Sequence, residues 1–182
     1  MNDQGSWIER QLRSSMNRKL LGIYLNDHLA GSVAGIELAK RSASNNRDTE
    51  FGRTLEGLVA EIEEDRRTLE GLMDSLDIPR DRLKQGGGWL AEKVGRLKLN
   101  GSLLGYSALS RLVELEGLML GVRGKLALWH ALQRVATVEP GLRSANLEEL
   151  ATRAESQLEE LERMRLEAAM LAFAPERVRA ER

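Results

Sequence analysis

The chain contains no cysteine, which excludes disulfide bonds, thiolate catalysis and metal centres held by cysteine. Prolines and aromatic residues are also scarce, with three Pro, three Trp, two Tyr and two Phe among 182 residues. Leu, Ala, Glu and Arg are abundant instead. Because these residues favour helices, whereas strands are enriched in aromatic and β-branched residues, the composition predicts an all-α protein.

An excess of charge of either sign is missing as well, since 27 Lys and Arg residues stand against 28 Asp and Glu residues. Nucleic-acid binding rests on the neutralisation of phosphates by basic side chains, so no nucleic-acid partner is expected. The N-terminal residues MNDQGSWIERQLR lack the apolar stretch of a signal peptide, and no uncharged apolar run is long enough to cross a membrane. The sequence therefore predicts a cytoplasmic protein without a transmembrane segment.

Apolar residues recur at helical spacing in four long segments, which predicts four long helices. Asn17, Asp48 and Asn146 precede three of these segments and are residue types that cap a helix N-terminus. Asn146 and Glu149 together resemble a capping box. The predicted helices run over Arg18–Ser42, from Asp48 to Leu76, over Leu103–Leu132 and over Leu147–Ala174.

The lengths of the connections predict how these helices pack. The turn 42–48 is short, so helices one and two are expected to be antiparallel neighbours, and helices three and four are expected to pair likewise. The connection 77–100 is long, and we expect it to contain one or two short helices and to cross the length of the bundle. This order predicts one four-helix bundle domain over 18–174, with an N-terminal arm at 1–17 and a charged tail at 175–182.

The third predicted helix, Leu103–Leu132, is apolar on nearly every side. A helix of this kind is expected to be buried by its neighbours. Its apolar surface exceeds what three neighbouring helices cover, so either Trp89 and Leu90 of the connection or a second copy of the chain is expected to cover the remainder. In helix one, Gly31 and Gly35 fall on the predicted buried side, where a missing Cβ lets another helix approach closely.

The segments LEGLVAEIEEDRRTLEGLM and LVELEGLML, together with the helix lengths and the order of connections, resemble the ferritin-like superfamily of four-helix bundles. The resemblance covers about Arg18 to Ala174. It implies a fold whose metal-binding members carry Glu on helices one and three and Glu-x-x-His on helices two and four. The two histidines here, His28 and His130, fall on helices one and three, so we predict a ferritin-like shape without the di-metal site.

Four residues remain as candidates for an unorthodox metal site, namely His28, Asp65, Glu116 and Glu162. His28 lies near the centre of an apolar face, where histidine serves as a metal ligand or general base, or as a core residue hydrogen-bonded to a carboxylate of another helix. The core role is the favoured interpretation. No catalytic residue and no cofactor are predicted.

Five charged residues lie on or beside the predicted inner faces of helices two to four: Asp65, Arg66, Glu116, Arg123 and Arg165. Because buried charges must be paired, we predict an Arg–carboxylate network in which Glu116 and Arg123 partner Arg165 and Asp65. The network either fixes the register of the helices, which we favour, or binds an anionic ligand between its arginines. The substitution Arg165→Leu is then expected to destabilise the protein strongly.

These observations predict a non-enzymatic helical bundle that acts through self-association or through binding to another protein. The alternative hypothesis is a metal-dependent oxidoreductase or metal-binding protein that uses the four candidate ligands. A third hypothesis, ranked below both, is an apolar ligand held between the helices or an amphipathic contact with a membrane.

Overall fold

The computed structural model describes residues 16–81 and 106–180. Within these ranges every regular element is a helix, which confirms the all-α prediction. A short 3-10 helix, Pro140–Ser144, lies between the last two long helices. The α-helices are α1 (Arg18–Asn45), α2 (Glu50–Ser75), α3 (Ala108–Val135), α4 (Leu147–Phe173) and α5 (Pro175–Ala180).

Polar side chains cap the first turns of the long helices. Asn17 caps α1 and accepts a backbone N–H of its first turn at 3.0 Å, as predicted. Asn146 caps α4 and accepts the N–H of Glu149 at 3.2 Å, and its own amide donates to the Glu149 carboxylate at 3.1 Å. Ser107 caps α3 in the same way at 3.1 Å. Because each such cap stabilises a helix by about 1 kcal/mol, these residues determine where the helices begin.

The turn between α1 and α2 differs from the prediction in its capping residue. Thr49, not Asp48, caps α2 and accepts the N–H of Gly52 at 3.2 Å. Asp48 has a φ of 66°, so it lies in the left-handed region outside the helix, where a short polar residue is tolerated. A Cβ at Gly52 would approach the carbonyl carbon of Asn46 to 2.9 Å. The turn therefore requires glycine at position 52.

The long helices pack as two antiparallel hairpins, α1 with α2 and α3 with α4. Lys40 of α1 pairs with Glu63 of α2 at 2.7 Å, and Gln133 of α3 donates to the backbone carbonyl of Leu147 at 3.2 Å. Side chains from all four helices form one continuous apolar core of Leu, Ile, Met, Ala and Trp. Burial of this core, at about 25 cal/mol per Å² of apolar surface, holds the two hairpins together.

The helix directions follow from a third seam, between α1 and α3. Residue numbers rise along α1 as they fall along α3, so these two helices are antiparallel. Since α1 is also antiparallel to α2, α2 and α3 run in the same direction, so the end of α2 and the start of α3 lie at opposite ends of the helices. The contacts that define the seam are Leu38 with Gly117, Arg41 with Glu114 and Asn46 with Tyr106.

Two predictions about this connection lie outside the described residues: its short helices, and the cover that Trp89 and Leu90 were expected to give to helix three. Residues 1–15 of the predicted arm and 103–105, the predicted start of helix three, lie outside them as well. Within the predicted tail, Pro175 begins the short helix α5 after α4 has ended at Phe173. None of the helices in the described ranges has the combined length and apolarity that a membrane crossing requires.

The glycines that allow close packing are not those predicted. A Cβ at Gly31 or Gly35 would meet no heavy atom of the described residues within 4 Å, so none of the described helices uses the space. Gly117 of α3 does face a neighbour, since a Cβ there would lie 3.1 Å from Leu38 Cδ2. The close approach is thus between α1 and α3, and it depends on the glycine of α3.

Among the described residues, neighbours bury only one side of the third helix, whose apolar surface was expected to exceed what its neighbouring helices cover. One side of α3 lies in the core, where Leu115, Trp129 and Leu132 are fully buried. The opposite side is open, with Leu109 37% and Leu120 76% exposed. Helical periodicity could not separate these two sides because both are apolar.

Candidate functional site

A cluster of charged and amide side chains lies between α2, α3 and α4. Asp65 of α2 is its centre and is only 2% exposed. One of its carboxylate oxygens accepts a hydrogen bond from the ammonium of Lys125, and the other accepts one from the guanidinium of Arg153. The amide oxygen of Gln157 also accepts from Lys125, and its amide nitrogen donates to Glu61 at 2.7 Å. We refer to these five residues as the buried ion cluster.

Helical register brings the members of the buried ion cluster together. Glu61 and Asp65 are one turn apart on α2, and Arg153 and Gln157 are one turn apart on α4, so each pair presents both side chains on the same helix face. Lys125 reaches them from α3, because a lysine can bury its aliphatic stem while its ammonium meets a carboxylate. The cluster therefore links three of the four long helices at one level.

The electrostatics of the cluster follow from burial and charge pairing. Burial lowers the pKa of the Lys125 ammonium, and the Asp65 carboxylate opposes that effect. Burial also disfavours the charged form of Arg153, but Asp65 and Glu64, which is 3.2 Å from its guanidinium, together raise the Arg153 pKa above its ordinary value. Two cations are thus balanced by Asp65 in the interior and by the acids Glu61 and Glu64 towards the surface.

This arrangement suits a structural role better than a reactive one. Both carboxylate oxygens of Asp65 are bound to cations, so Asp65 is not free to act as a base. Breaking a buried ion pair is costly because it leaves an unpaired charge in the interior. The cluster therefore fixes the register of α2, α3 and α4 relative to one another.

Asp65 is also the one residue of the predicted Arg–carboxylate network that lies in the buried ion cluster. Its predicted partner Arg123 is exposed instead, which corrects the prediction. Lys125, two positions further along α3, faces the core in its place. Two residues correspond to about 200° of rotation about a helix axis, so the two cations lie on nearly opposite sides of α3.

The other members of the predicted network form contacts near the surface. Arg66 pairs with Glu70 of its own helix at 3.0 Å. Arg165 pairs with Glu162 of its own helix at 2.7 Å and approaches Glu116 of α3 only to 4.0 Å. The predicted pairing of Arg165 with Glu116 is therefore a loose contact on the outside of the α3–α4 hairpin.

The four candidate metal ligands are not brought together. Asp65 is bound to two cations, whereas Glu116 and Glu162 lie beside Arg165 with side chains 51% and 43% exposed. A neighbouring arginine repels a dication. Across residues 16–81 and 106–180, no group of three or more His, Asp and Glu side chains is placed to hold a metal ion.

His28, the fourth candidate, is half-buried on α1. Its ring packs edge-to-face against Tyr24, one turn earlier, with 4.6 Å between ring centroids and 71° between ring planes. Burial lowers the pKa of the imidazole, and the neighbouring Asp27 carboxylate opposes that effect. The favoured prediction, a carboxylate from another helix as partner, is replaced by an aromatic contact on the same helix.

No family model, no curated protein and no solved structure matches the chain.

A second buried carboxylate, Glu114 of α3, is not among the residues that the sequence predicts to be buried. It is 7% exposed and accepts hydrogen bonds from Arg41 of α1 and from the Tyr106 hydroxyl, both at 3.1 Å. The same hydroxyl accepts the amide of Asn46 at 2.7 Å, and burial raises the pKa of Tyr106. This contact joins the end of α1 to the start of α3. The sequence predicts Glu116 instead as the buried acid of α3, because apolar residues on nearly every side of that helix do not indicate which side faces the core.

A shallow surface groove of about 430 Å³ lies along the first turns of α4. Arg153 is its one basic residue, while two glutamates line it, so the groove lacks the positive potential that would attract an anionic ligand. Its lining residues are Asn146, Glu148, Glu149, Thr152, Arg153 and Ser156. The groove therefore does not match the second interpretation of the charged network, in which an anionic ligand binds between its arginines.

Proposed function

We propose that the chain is a ferritin-like four-helix bundle that acts without catalysis, through self-association. The ferritin-like part of the proposal is supported by the order and direction of the helices. Two antiparallel hairpins, joined so that α2 and α3 run in the same direction, have the connectivity of a bundle with one long crossover. An ion cluster occupies the interior, where metal-binding members of the superfamily carry their carboxylate and histidine ligands.

The absence of a catalytic role is supported by how two buried carboxylates are used. Asp65 is held by Lys125 and Arg153, and Glu114 is held by Arg41 and Tyr106. In both places the carboxylate already accepts hydrogen bonds that a substrate or a metal ion would have to displace. Such groups stabilise the fold and the register of the helices.

One observation carries the self-association proposal: the outer side of the α3–α4 hairpin exposes large apolar side chains. Monomeric soluble proteins rarely expose large contiguous apolar patches, and those that they do expose are commonly interaction sites. The exposed apolar residues on these two helices are Leu109, Leu120, Leu166, Met170 and Phe173. We refer to them as the outer apolar face.

The metal-dependent alternative receives no support from the positions of its candidate ligands. Asp65 is paired with cations, Glu116 and Glu162 lie beside Arg165, and His28 packs against an aromatic ring. A functional metal site would require these side chains to converge, because hard and borderline cations need several ligands within bonding distance.

Sedimentation equilibrium of the full chain over a wide range of concentrations tests the proposal. We expect a reversible equilibrium whose limiting mass is twice that of the chain. A mass equal to one chain at the highest concentrations would refute self-association. In that case the outer apolar face would belong to another binding partner.

A further inference from the structure

Leu120, at the middle of the outer side of α3, has the highest fractional exposure on the outer apolar face. Its side chain is 76% exposed. On a helix surface the neighbours of a residue are those three and four positions away, which for Leu120 are Glu116, Gly117, Arg123 and Gly124. A large apolar side chain is therefore surrounded by two glycines and by two residues of opposite charge.

Packing within residues 16–81 and 106–180 does not explain all of the glycines around Leu120. Gly117 faces Leu38 of α1, but a Cβ at Gly121 or Gly124 would meet no heavy atom of the described residues within 4 Å. A glycine inside a helix costs about 1 kcal/mol relative to alanine. These two positions keep that cost without a neighbour among the described residues to compensate for it, and they leave a depression next to the projecting leucine.

One charged residue lies on each side of Leu120 along α3, and the two have opposite signs. Glu116 lies four positions before it and Arg123 three positions after it, so the two charges lie about 6 Å and about 4.5 Å from the leucine along the axis. The Glu116 side chain is 51% exposed, and its nearest cation on the described residues is Arg165 at 4.0 Å. Both charges are thus available to a partner that approaches this face.

We infer that the partner is a second copy of the same chain, which packs its α3 antiparallel to the first across a two-fold axis at Leu120. This inference rests on the proposed self-association and names the surface that carries it. In this register the Leu120 side chains of the two copies meet at the axis, each beside the depression at Gly121 and Gly124 of the other copy. Glu116 of each copy lies beside Arg123 of the other, so the face is complementary to itself, as an isologous interface requires.

The charges select the antiparallel orientation over a parallel one. In a parallel two-fold pair, Glu116 would face its own counterpart and so would Arg123, and like charges across an interface are repulsive. The sizes of the side chains select the same orientation. Antiparallel pairing sets the bulky half of the face, at Leu109 and Val113, opposite the small half, at Ala127 and Ala131.

The area that a stable dimer needs brings α4 into the interface. From position 109 to 131 the outer side of α3 is about 33 Å long and about 10 Å wide, an area of roughly 330 Å². Specific interfaces bury about 800 Å² on each partner. The α4 part of the outer apolar face is therefore required, namely Leu166, Met170 and Phe173, which flank the first half of α3 because Arg165 lies beside Glu116.

The first test replaces Leu120 by arginine in the full chain and measures the dimer dissociation constant by sedimentation equilibrium. We expect dissociation to become easier by roughly a hundredfold or more, since the central apolar anchor is replaced by a charge on both copies. Leu20→Arg, at a leucine that is 60% exposed on α1, is the matched control and is expected to leave the dimer unchanged. Circular dichroism checks that both variants remain helical.

The second test concerns the register. Glu116→Arg and Arg123→Glu, made singly, each place like charges beside one another at two symmetry-related points, and each is expected to weaken the dimer roughly tenfold. The double variant restores opposite charges at both points and is expected to recover most of the loss. A double variant that is weaker than either single variant contradicts the antiparallel register.

The outcomes separate this inference from the proposal beneath it. If the wild-type chain is monomeric at every concentration, self-association and this interface both fail. If the wild-type chain dimerises but Leu120→Arg dimerises equally well, self-association stands and the surface named here is wrong. If Leu120→Arg lowers the unfolding temperature without changing the mass, another part of the same chain, such as 82–105, covers Leu120 and the inference is overturned.

Discussion

The carboxylate of Asp65 balances the charges of Lys125 and Arg153 in the interior. We predict that Asp65→Asn lowers the free energy of unfolding by about 3–5 kcal/mol, because Lys125 loses its charged partner in the interior and Arg153 keeps only the more exposed Glu64. Chemical denaturation monitored by circular dichroism measures the loss. Asp74→Asn is the control on the same helix, since its salt bridge with Arg80 is exposed and is expected to contribute less than about 1 kcal/mol.

A similar, small effect of both substitutions would show that the buried ion cluster does not stabilise the fold. A further variant distinguishes loss of the pairs from burial of polar groups. Replacing Asp65, Lys125 and Arg153 together with apolar residues of similar size removes the charges along with their pairing. Because such replacements of complete buried clusters are often neutral or stabilising, we expect the triple variant to be more stable than Asp65→Asn.

For single residues, the sequence predicts which charged side chain is buried more readily than it predicts the side chain that pairs with it. Asp65 could be predicted because it interrupts an otherwise apolar stripe on α2. The partner of Asp65 on α3 could not be predicted. Arg123 and Lys125 both lie on that helix, and its apolar residues on all sides do not indicate which side faces the core. The strong effect expected of Arg165→Leu no longer follows, since Arg165 pairs with Glu162 of its own helix near the surface.

On α2, two glycines provide matched substitutions with opposite expected effects. A Cβ at Gly57 would meet no heavy atom of the described residues within 4 Å, whereas one at Gly52 would collide with the backbone carbonyl of Asn46. Gly57→Ala is therefore expected to stabilise the protein by about 0.5–1 kcal/mol, through helix propensity alone. Gly52→Ala is expected to destabilise it by about 1–3 kcal/mol, because the backbone of the turn must move.

Thermal and chemical unfolding of the two variants measure both effects under the same conditions. If Gly52→Ala were stabilising, the close approach of the α1–α2 turn to α2 would be wrong. If Gly57→Ala were destabilising, a contact at position 57 would have to exist that the described residues do not contain.

The starts of helices are the features of each element that the sequence predicts best. Asn17 and Asn146 cap α1 and α4 as predicted, because a capping side chain acts on a backbone N–H only a few residues away. The start of α2 was misplaced by one residue, since Asp48 and Thr49 are both good capping residues and only the left-handed φ of Asp48 decides between them. Local chemistry thus predicts an element but not every residue at its boundary.

Contacts between elements require information that a single helix does not carry. Gly31 and Gly35 are spaced as close-packing glycines are, but their helix has no neighbour on that side among the described residues. Gly117 has the same sequence character and does face Leu38. Only the direction from which α1 approaches α3 distinguishes the two cases, and that direction follows from the arrangement of all four helices.

For the whole molecule, connection lengths predict which helices are neighbours, whereas the outer apolar face was not predictable in position. A four-residue turn forces α1 and α2 to pack together, so the hairpin follows from the sequence alone. The apolar residues on nearly every side of the third predicted helix indicate excess apolar surface, but the sequence interpretation places Glu116 on the buried side of that helix. The structure reverses that placement, and the reversal puts a charge of each sign on the outer side of α3, where a second copy can use them.

The direction of α3 relative to α2 can be tested directly, because a chain without cysteine accepts spin labels only at the cysteines introduced. Arg53 and Asp74 are exposed near the two ends of α2, and Arg134 is exposed near the end of α3. If α2 and α3 are parallel, the Asp74–Arg134 pair lies at one level, and the Arg53–Arg134 pair is separated by about 30 Å more along the helix axis. Dilution with unlabelled chain removes distances between copies.

We expect the second label distance to exceed the first by roughly 20 Å in electron–electron double resonance, once the lateral spacing of the helices is included. The reverse order of distances would make α2 and α3 antiparallel, and the ferritin-like arrangement would then be wrong even if both hairpins and the self-association were correct.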